Sequence, residues 1–414
     1  MSLFDKSFLQ SLTVDESVWF DRFFYPVVCP IFYVETLADL SKKPRGALTS
    51  DAEVRIIADK FPQMSGTPCA DHFNMAVHNI LGVFQPPMDG RIPRSGGRNV
   101  SDGNRIGVVF DEPPEMAAFR RWQNQEFYEV ERRFAAGWRA ALDVTDLTQI
   151  AAALRGAGLN TQSCKTLADV KQLADTLIQS EDRAFHRLRF AVEFFGIGPQ
   201  HHKQIIQNWN FSGKPPLHQY APYSAFVLTI EVFFHIALAV GLISPDRASN
   251  RTDIAYLFYL PFCMTFISND RLHRRTASLF LRPNQEFVWG IDLKADLARL
   301  DAHYKATLSE TERERGLIGF VHAPPADADF LVTKLWKRYL RPEALHEPNV
   351  LESMSAEAQA KLVEKVTALT QGAPLSGDVE APDDDAVEAV SVERCITKRK
   401  GSWWQLPKDL KGPC

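Results

Sequence analysis

Four carboxylates fall where an apolar run gives way to a helix. Asp5 follows the short apolar stretch Met1–Phe4, and Asp270 follows the strand-like run Cys263–Ser268 and Asn269. Glu35 lies on the helix expected after a strand that begins at Tyr25 and turns at Pro30, and Asp253 opens a helix beside Thr252 and Asn250. In a mostly parallel sheet, groups just past the carboxyl ends of strands collect in one crevice with the first turns of the helices. Four acids meeting there repel, so some keep a proton unless a cation neutralises them. Mg2+ and Mn2+ prefer oxygen donors and meet that need. Such ions also activate water and stabilise charge developing on a scissile phosphodiester. The chemistry expected is metal-dependent phosphodiester hydrolysis. Acids are common here, 51 of 414 residues, and each of the four read singly is a helix cap or a solvated turn residue. The junction context is what groups them.

Read together, these segments resemble the PIN-domain nuclease superfamily. Phe4-Asp5-Lys-Ser-Phe-Leu is similar to its opening strand, first acid and helix. Pro30-Ile-Phe-Tyr-Val-Glu35-Thr-Leu-Ala-Asp-Leu40 is similar to its second motif. Asp253-Ile-Ala-Tyr-Leu and, about seventeen residues on, Phe266-Ile-Ser-Asn-Asp270 resemble its closing pair. The resemblance covers roughly residues 1–42 and 220–295. It implies an α/β fold, an α/β/α sandwich with a mostly parallel central sheet. It further implies Asp5, Glu35, Asp253 and Asp270 as catalytic, metal-binding acids for Mg2+ or Mn2+, and RNA, more than single-stranded DNA, as substrate. Asp39, one helical turn past Glu35, is a supplementary ligand or a solvated helix acid. A non-catalytic nucleic-acid or protein-binding module on the same fold is the alternative.

The run Arg271-Leu-His-Arg274-Arg275 directly follows Asp270. If Asp270 lies in a cleft, these arginines stand at its rim, where cations meet phosphates; otherwise they form a solvated helix face. The arginines of 91–105 and 120–139, with Trp122, Phe127, Tyr128 and Trp138 among them, offer a second strip, though amphipathic packing explains the aromatics more simply. Tyr220–Ile243 is long enough to ask about a membrane. Glu231 and His235 interrupt it, so a core helix is expected, with Glu231 needing a partner: the acid cluster, His235 or an arginine. No GxSxG, GxxxxGK[ST] or strand-following GxGxxG occurs.

The elements that must position these groups divide the chain. Residues 1–44 and 216–310 form the discontinuous PIN-like domain, and 45–215 a mainly helical insertion with a mobile loop near 85–114. Helices are expected at 115–140, 145–155, 167–196 and 200–209, with one strand at Ile106–Phe110. Residues 311–372 are C-terminal helices. Residues 378–393 carry seven acids and no Lys or Arg, and 394–414 carry six bases and one acid. Composition therefore makes 373–414 a disordered tail. Net charge is −4, which gives no global footprint for nucleic acid and leaves only local stripes. Six scattered cysteines without a CxxC pair suit reduced thiols, and the first residues lack a signal-peptide pattern, so a cytoplasmic protein is expected. The insertion or the tail could serve a protein partner or a homo-oligomer.

Overall fold

The computed structural model describes residues 1–42, 48–94, 96–101, 106–144, 146–156, 164–317, 321, 323–326, 329–339 and 389–410, with isolated positions between 355 and 374. At its centre lie five short strands: β1 (Ser2–Phe4), β2 (Pro26–Val28), β3 (Thr67–Pro68), β6 (Thr265–Ser268) and β7 (Glu286–Trp289). Their order is β3-β2-β1-β6-β7, and every neighbouring pair is parallel. Ser2, Leu3 and Phe4 pair in register with Thr265, Phe266 and Ile267. β1, β2 and β6 are buried along their whole length, as parallel strands covered by helices must be. Phe4 meets the edges of Phe20, on helix Val14–Phe23, and Phe32, on helix Pro30–Leu37, at 5.5 and 4.9 Å.

The α/β class therefore holds, and the strand order locates a crevice. From β1 the chain moves outward to β2 and β3; it re-enters on the other side of β1 as β6 and continues to β7. The direction of winding reverses between β1 and β6, and the carboxyl ends of those two strands flank the opening where parallel sheets bind ligands. Asp5 and Asp270 follow those two strands.

Elsewhere the elements differ from expectation for local reasons. The helix expected over 115–140 is two, Pro114–Gln123 and Glu129–Val144, parted where Gln125 takes φ 58°. The one over 167–196 is also two, Leu167–Gln179 and Ala184–Phe194, parted at Arg183 with φ 57°. The loop near 85–114 holds a hairpin, β4 (Arg98–Ser101) with β5 (Ile106–Phe110). The insertion also lends β3 to the central sheet. Pro222–Ala239 is a helix apolar and long enough to cross a membrane, with 78% of it buried within the protein. Of the C-terminal helices expected over 311–372, most of 340–372 lies outside the described residues.

The described part of the tail corrects the expectation of disorder. β8 (Ala373–Pro374) and β9 (Ala389–Val392) flank β4 and β5 in a second sheet, and β10 (Arg399–Lys400) pairs with β11 (Trp403–Trp404). Trp403 is fully buried, edge-on to Trp19 at 4.7 Å, and its indole donates to Asp301 at 2.8 Å. Lys400 is buried and donates to the Phe61 carbonyl at 2.8 Å. The turn between β10 and β11 depends on Gly401, whose φ is 58° and whose absent Cβ would fall on the Asp15 carboxylate. Asp15 is already fixed by the Ser402 amide at 2.8 Å and Lys305 at 2.7 Å. Gly401→Ala is expected to cost at least about 1–2 kcal/mol, the left-handed backbone strain alone, seen as a lower urea midpoint with an unchanged slope.

Candidate active site

Asp5 caps helix Lys6–Ser11 and is 3% exposed. One carboxylate oxygen accepts the Phe8 amide at 2.9 Å; the other accepts the hydroxyls of Ser7 at 2.6 Å and Ser268 at 2.8 Å. Ser268, the last residue of β6, also accepts the Asp270 amide at 2.9 Å, so a single hydroxyl joins the ends of β1 and β6. Asp270 caps helix Arg271–Thr276 through the Leu272 amide, and its second oxygen lies 4.0 Å from the exposed Arg247. The two acids stand at one sheet edge, as the parallel topology requires.

His273 is the residue that sequence reasoning missed. It sits among arginines in the sequence, yet it is completely buried on the inner face of the first turn after Asp270. Its Nε2 lies 2.6 Å from the Asp253 backbone carbonyl, which can only accept, so that nitrogen carries a proton. Its Nδ1 lies 2.7 Å from the Ser268 hydroxyl and 3.6 Å from the Asp5 carboxylate. Burial disfavours the charged ring, but the charges of Asp5 and Asp253 and the bond to the Asp253 carbonyl outweigh it and push the His273 pKa up to about 9. Burial likewise opposes ionisation of Asp5, and His273 reverses this and holds the carboxyl below its usual range. Imidazolium and carboxylate form a buried ion pair that ties β1, β6 and the Asn250–Ala255 helix together.

On the other flank, Lys6 is 6% exposed and holds two acids at once. Its ammonium lies 3.0 Å from both Asp39 oxygens and 3.4 Å from Glu35 Oε1, and donates to the Glu35 carbonyl at 3.1 Å. The other Glu35 oxygen accepts the Tyr256 hydroxyl at 2.7 Å, and Lys42 reaches Asp39 at 2.6 Å. Burial alone would depress Lys6, but the charges of Glu35 and Asp39 prevail and raise it. Asp39 is therefore a buried partner of Lys6 rather than a solvated helix acid.

Asp253 has no such compensation. Its Oδ2 is buried without a hydrogen-bond partner. Burial first, then the charges of Asp270 and Glu35, push its pKa up to about 7 against the opposing pull of His273. Asp253 thus feels both Asp270 and Glu35, and a cation would relieve it. Among the described residues, no three His, Cys, Asp or Glu side chains surround one point as ligands. The donors are nevertheless of the right kind, hard oxygens, and one is orphaned. Glu231 takes the arginine option, pairing with Arg251 at 2.6 Å. Arg271, Arg274 and Arg275 are exposed; Arg274 lies over the Trp289 ring at 4.8 Å, and Arg275 donates to the Leu242 carbonyl at 3.1 Å. Compared with models of known protein families, with curated proteins and with solved structures, the chain finds no match.

Proposed function

We propose that the protein is a metal-dependent nuclease with a PIN-like arrangement of acids, hydrolysing phosphodiester bonds in RNA. The observation that supports it most is Asp253, a buried carboxylate oxygen without a partner, its pKa raised first by burial and then by the neighbouring Asp270 and Glu35, beside the switch point of a parallel sheet. Such tuning by burial and like charge marks functional sites more often than structural ones. Asp253 and Asp270 would hold Mg2+ or Mn2+, with Asp5 and Glu35 adjoining. When bound, the ion supplies Lewis-acid activation of water and charge compensation on the phosphate. The chain's own contribution is positional. Asp5, Ser268 and His273 lock the ends of β1 and β6, and Arg247 and Arg271, exposed beside Asp270, meet the phosphate backbone. The preference for RNA rests on the family resemblance.

A second reading has its own observation. Lys6, Lys42 and His273 already pair with Glu35, Asp39 and Asp5, which suits a non-catalytic nucleic-acid-binding module on the same frame. Incubating the full chain with a single-stranded RNA oligonucleotide separates the two. Cleavage is expected with Mn2+ or Mg2+ and none with chelator. Asp270→Asn should be inactive, and Arg271→Ala should raise KM several-fold with kcat kept. RNA retained uncut at every ion concentration favours the binding module; neither cutting nor retention overturns both.

A further inference from the structure

Lys6 fills the Glu35–Asp39 flank of the crevice. Its ammonium is buried and in contact with three carboxylate oxygens and one carbonyl, all from the helical segment that carries Glu35 and Asp39. Tyr256 and Lys42 take up further oxygen capacity on that flank. The opposite flank is different, because Asp253 has an orphaned oxygen and Asp270, beyond the Leu272 amide it accepts, has the exposed Arg247 at 4.0 Å. Around the crevice, five carboxylates (Asp5, Glu35, Asp39, Asp253, Asp270) stand against Lys6, Lys42 and His273 in close contact and Arg247 at 4.0 Å. Lys6 and Lys42 fall on the Glu35–Asp39 flank, and the Asp253–Asp270 flank is left with the exposed Arg247.

On the reading of this site as a divalent-metal centre, we propose that Lys6 is a resident cation that stands in for one metal ion. It reserves the Glu35–Asp39 flank and limits the site to one divalent ion, on the Asp253–Asp270 flank. The physical case is competitive. An entering ion would have to shed water, which Mg2+ does reluctantly, and would leave a buried ammonium unpaired, which is strongly unfavourable. The lysine is already in place, so it loses no translational freedom on binding.

Mn2+ binding by the full chain, counted by calorimetry and by paramagnetic resonance of free Mn2+, tests this without reference to turnover. The wild type and Lys6→Arg are expected to bind one ion, and Lys6→Met, which keeps the length and removes the charge, two. A wild type that binds two ions overturns the inference and leaves the metal reading standing. A wild type that binds none overturns both. A folded Lys6→Met that binds one ion also overturns the inference. If Lys6→Met does not fold, 15N-lysine spectra of the wild type decide. The protected Lys6 ammonium signal should persist at saturating Mg2+, and its loss to solvent exchange would mean that the ion displaces it.

Discussion

Asp253→Asn should abolish ion-dependent cleavage and, at the same time, make the metal-free protein more stable. The first effect should exceed about 100-fold, the upper end for losing a group one shell farther from a metal. The second follows from the sign of the pKa change. The folded protein keeps a proton on Asp253 up to about pH 7, whereas the unfolded chain releases it near 3.8. Between those values the folded state binds more protons, so this carboxyl makes stability fall as pH rises from 3.8, and the loss is complete above 7. Asparagine carries no charge and escapes it. After allowance for screening of a partly exposed group, the gain at pH 8 is about 1–3 kcal/mol. Thermal unfolding in chelator at pH 5 and pH 8 reads it directly. The wild type should fall between the two by more than the variant does. Adding Mn2+ to 100 times its Kd should then raise the wild type by about 2.7 kcal/mol and the variant little. If the variant still cuts RNA, or gains as much from Mn2+ as the wild type, Asp253 does not belong to the site.

The acids themselves could be read from the sequence because each borders an apolar run, and a parallel strand buried on both faces writes such a run plainly. Asp5 and Asp270 needed only that pattern to be set at one sheet edge. Their partners could not be read. His273 looks like one more member of a basic run until the pairing of β1 with β6 brings Asp5 to it across 268 positions of sequence. Lys6 is one residue from Asp5 yet serves acids about thirty positions away. β3 is two residues long, and β7, at the sheet edge, is half-exposed along most of its length, so neither shows the wholly buried run that marks β1 and β6. The tail failed for the opposite reason. Its composition is that of a disordered segment, and Trp403 is ordered by Trp19 and Asp301, which no local rule can see.

His273→Gln tests the missed partner, with an expected loss of about 3–5 kcal/mol, because it leaves the Asp5 carboxylate buried without its cation. The pH dependence distinguishes this from ordinary loss of packing. In the folded protein the His273 pKa lies at about 9, above its usual 6.5. Its stabilisation is therefore full below pH 6.5 and drains away as pH rises through 9. Asp5, held below its usual 3.8, contributes above that value and loses its part only as pH falls through its depressed folded pKa. In chelator, the unfolding midpoint of the wild type should drop between pH 6.5 and 9, while that of His273→Gln stays level across the same interval. This window overlaps that of Asp253 only between pH 6.5 and about 7, so scans from pH 4 to 9.5 of both single variants and the double variant assign each slope to its residue. If the wild type and His273→Gln decline in parallel above pH 6.5, the imidazole is neutral. The bond to the Asp253 carbonyl would then be its only proton, and Asp5 would have to be stabilised by Ser7, Ser268 and the Phe8 amide alone.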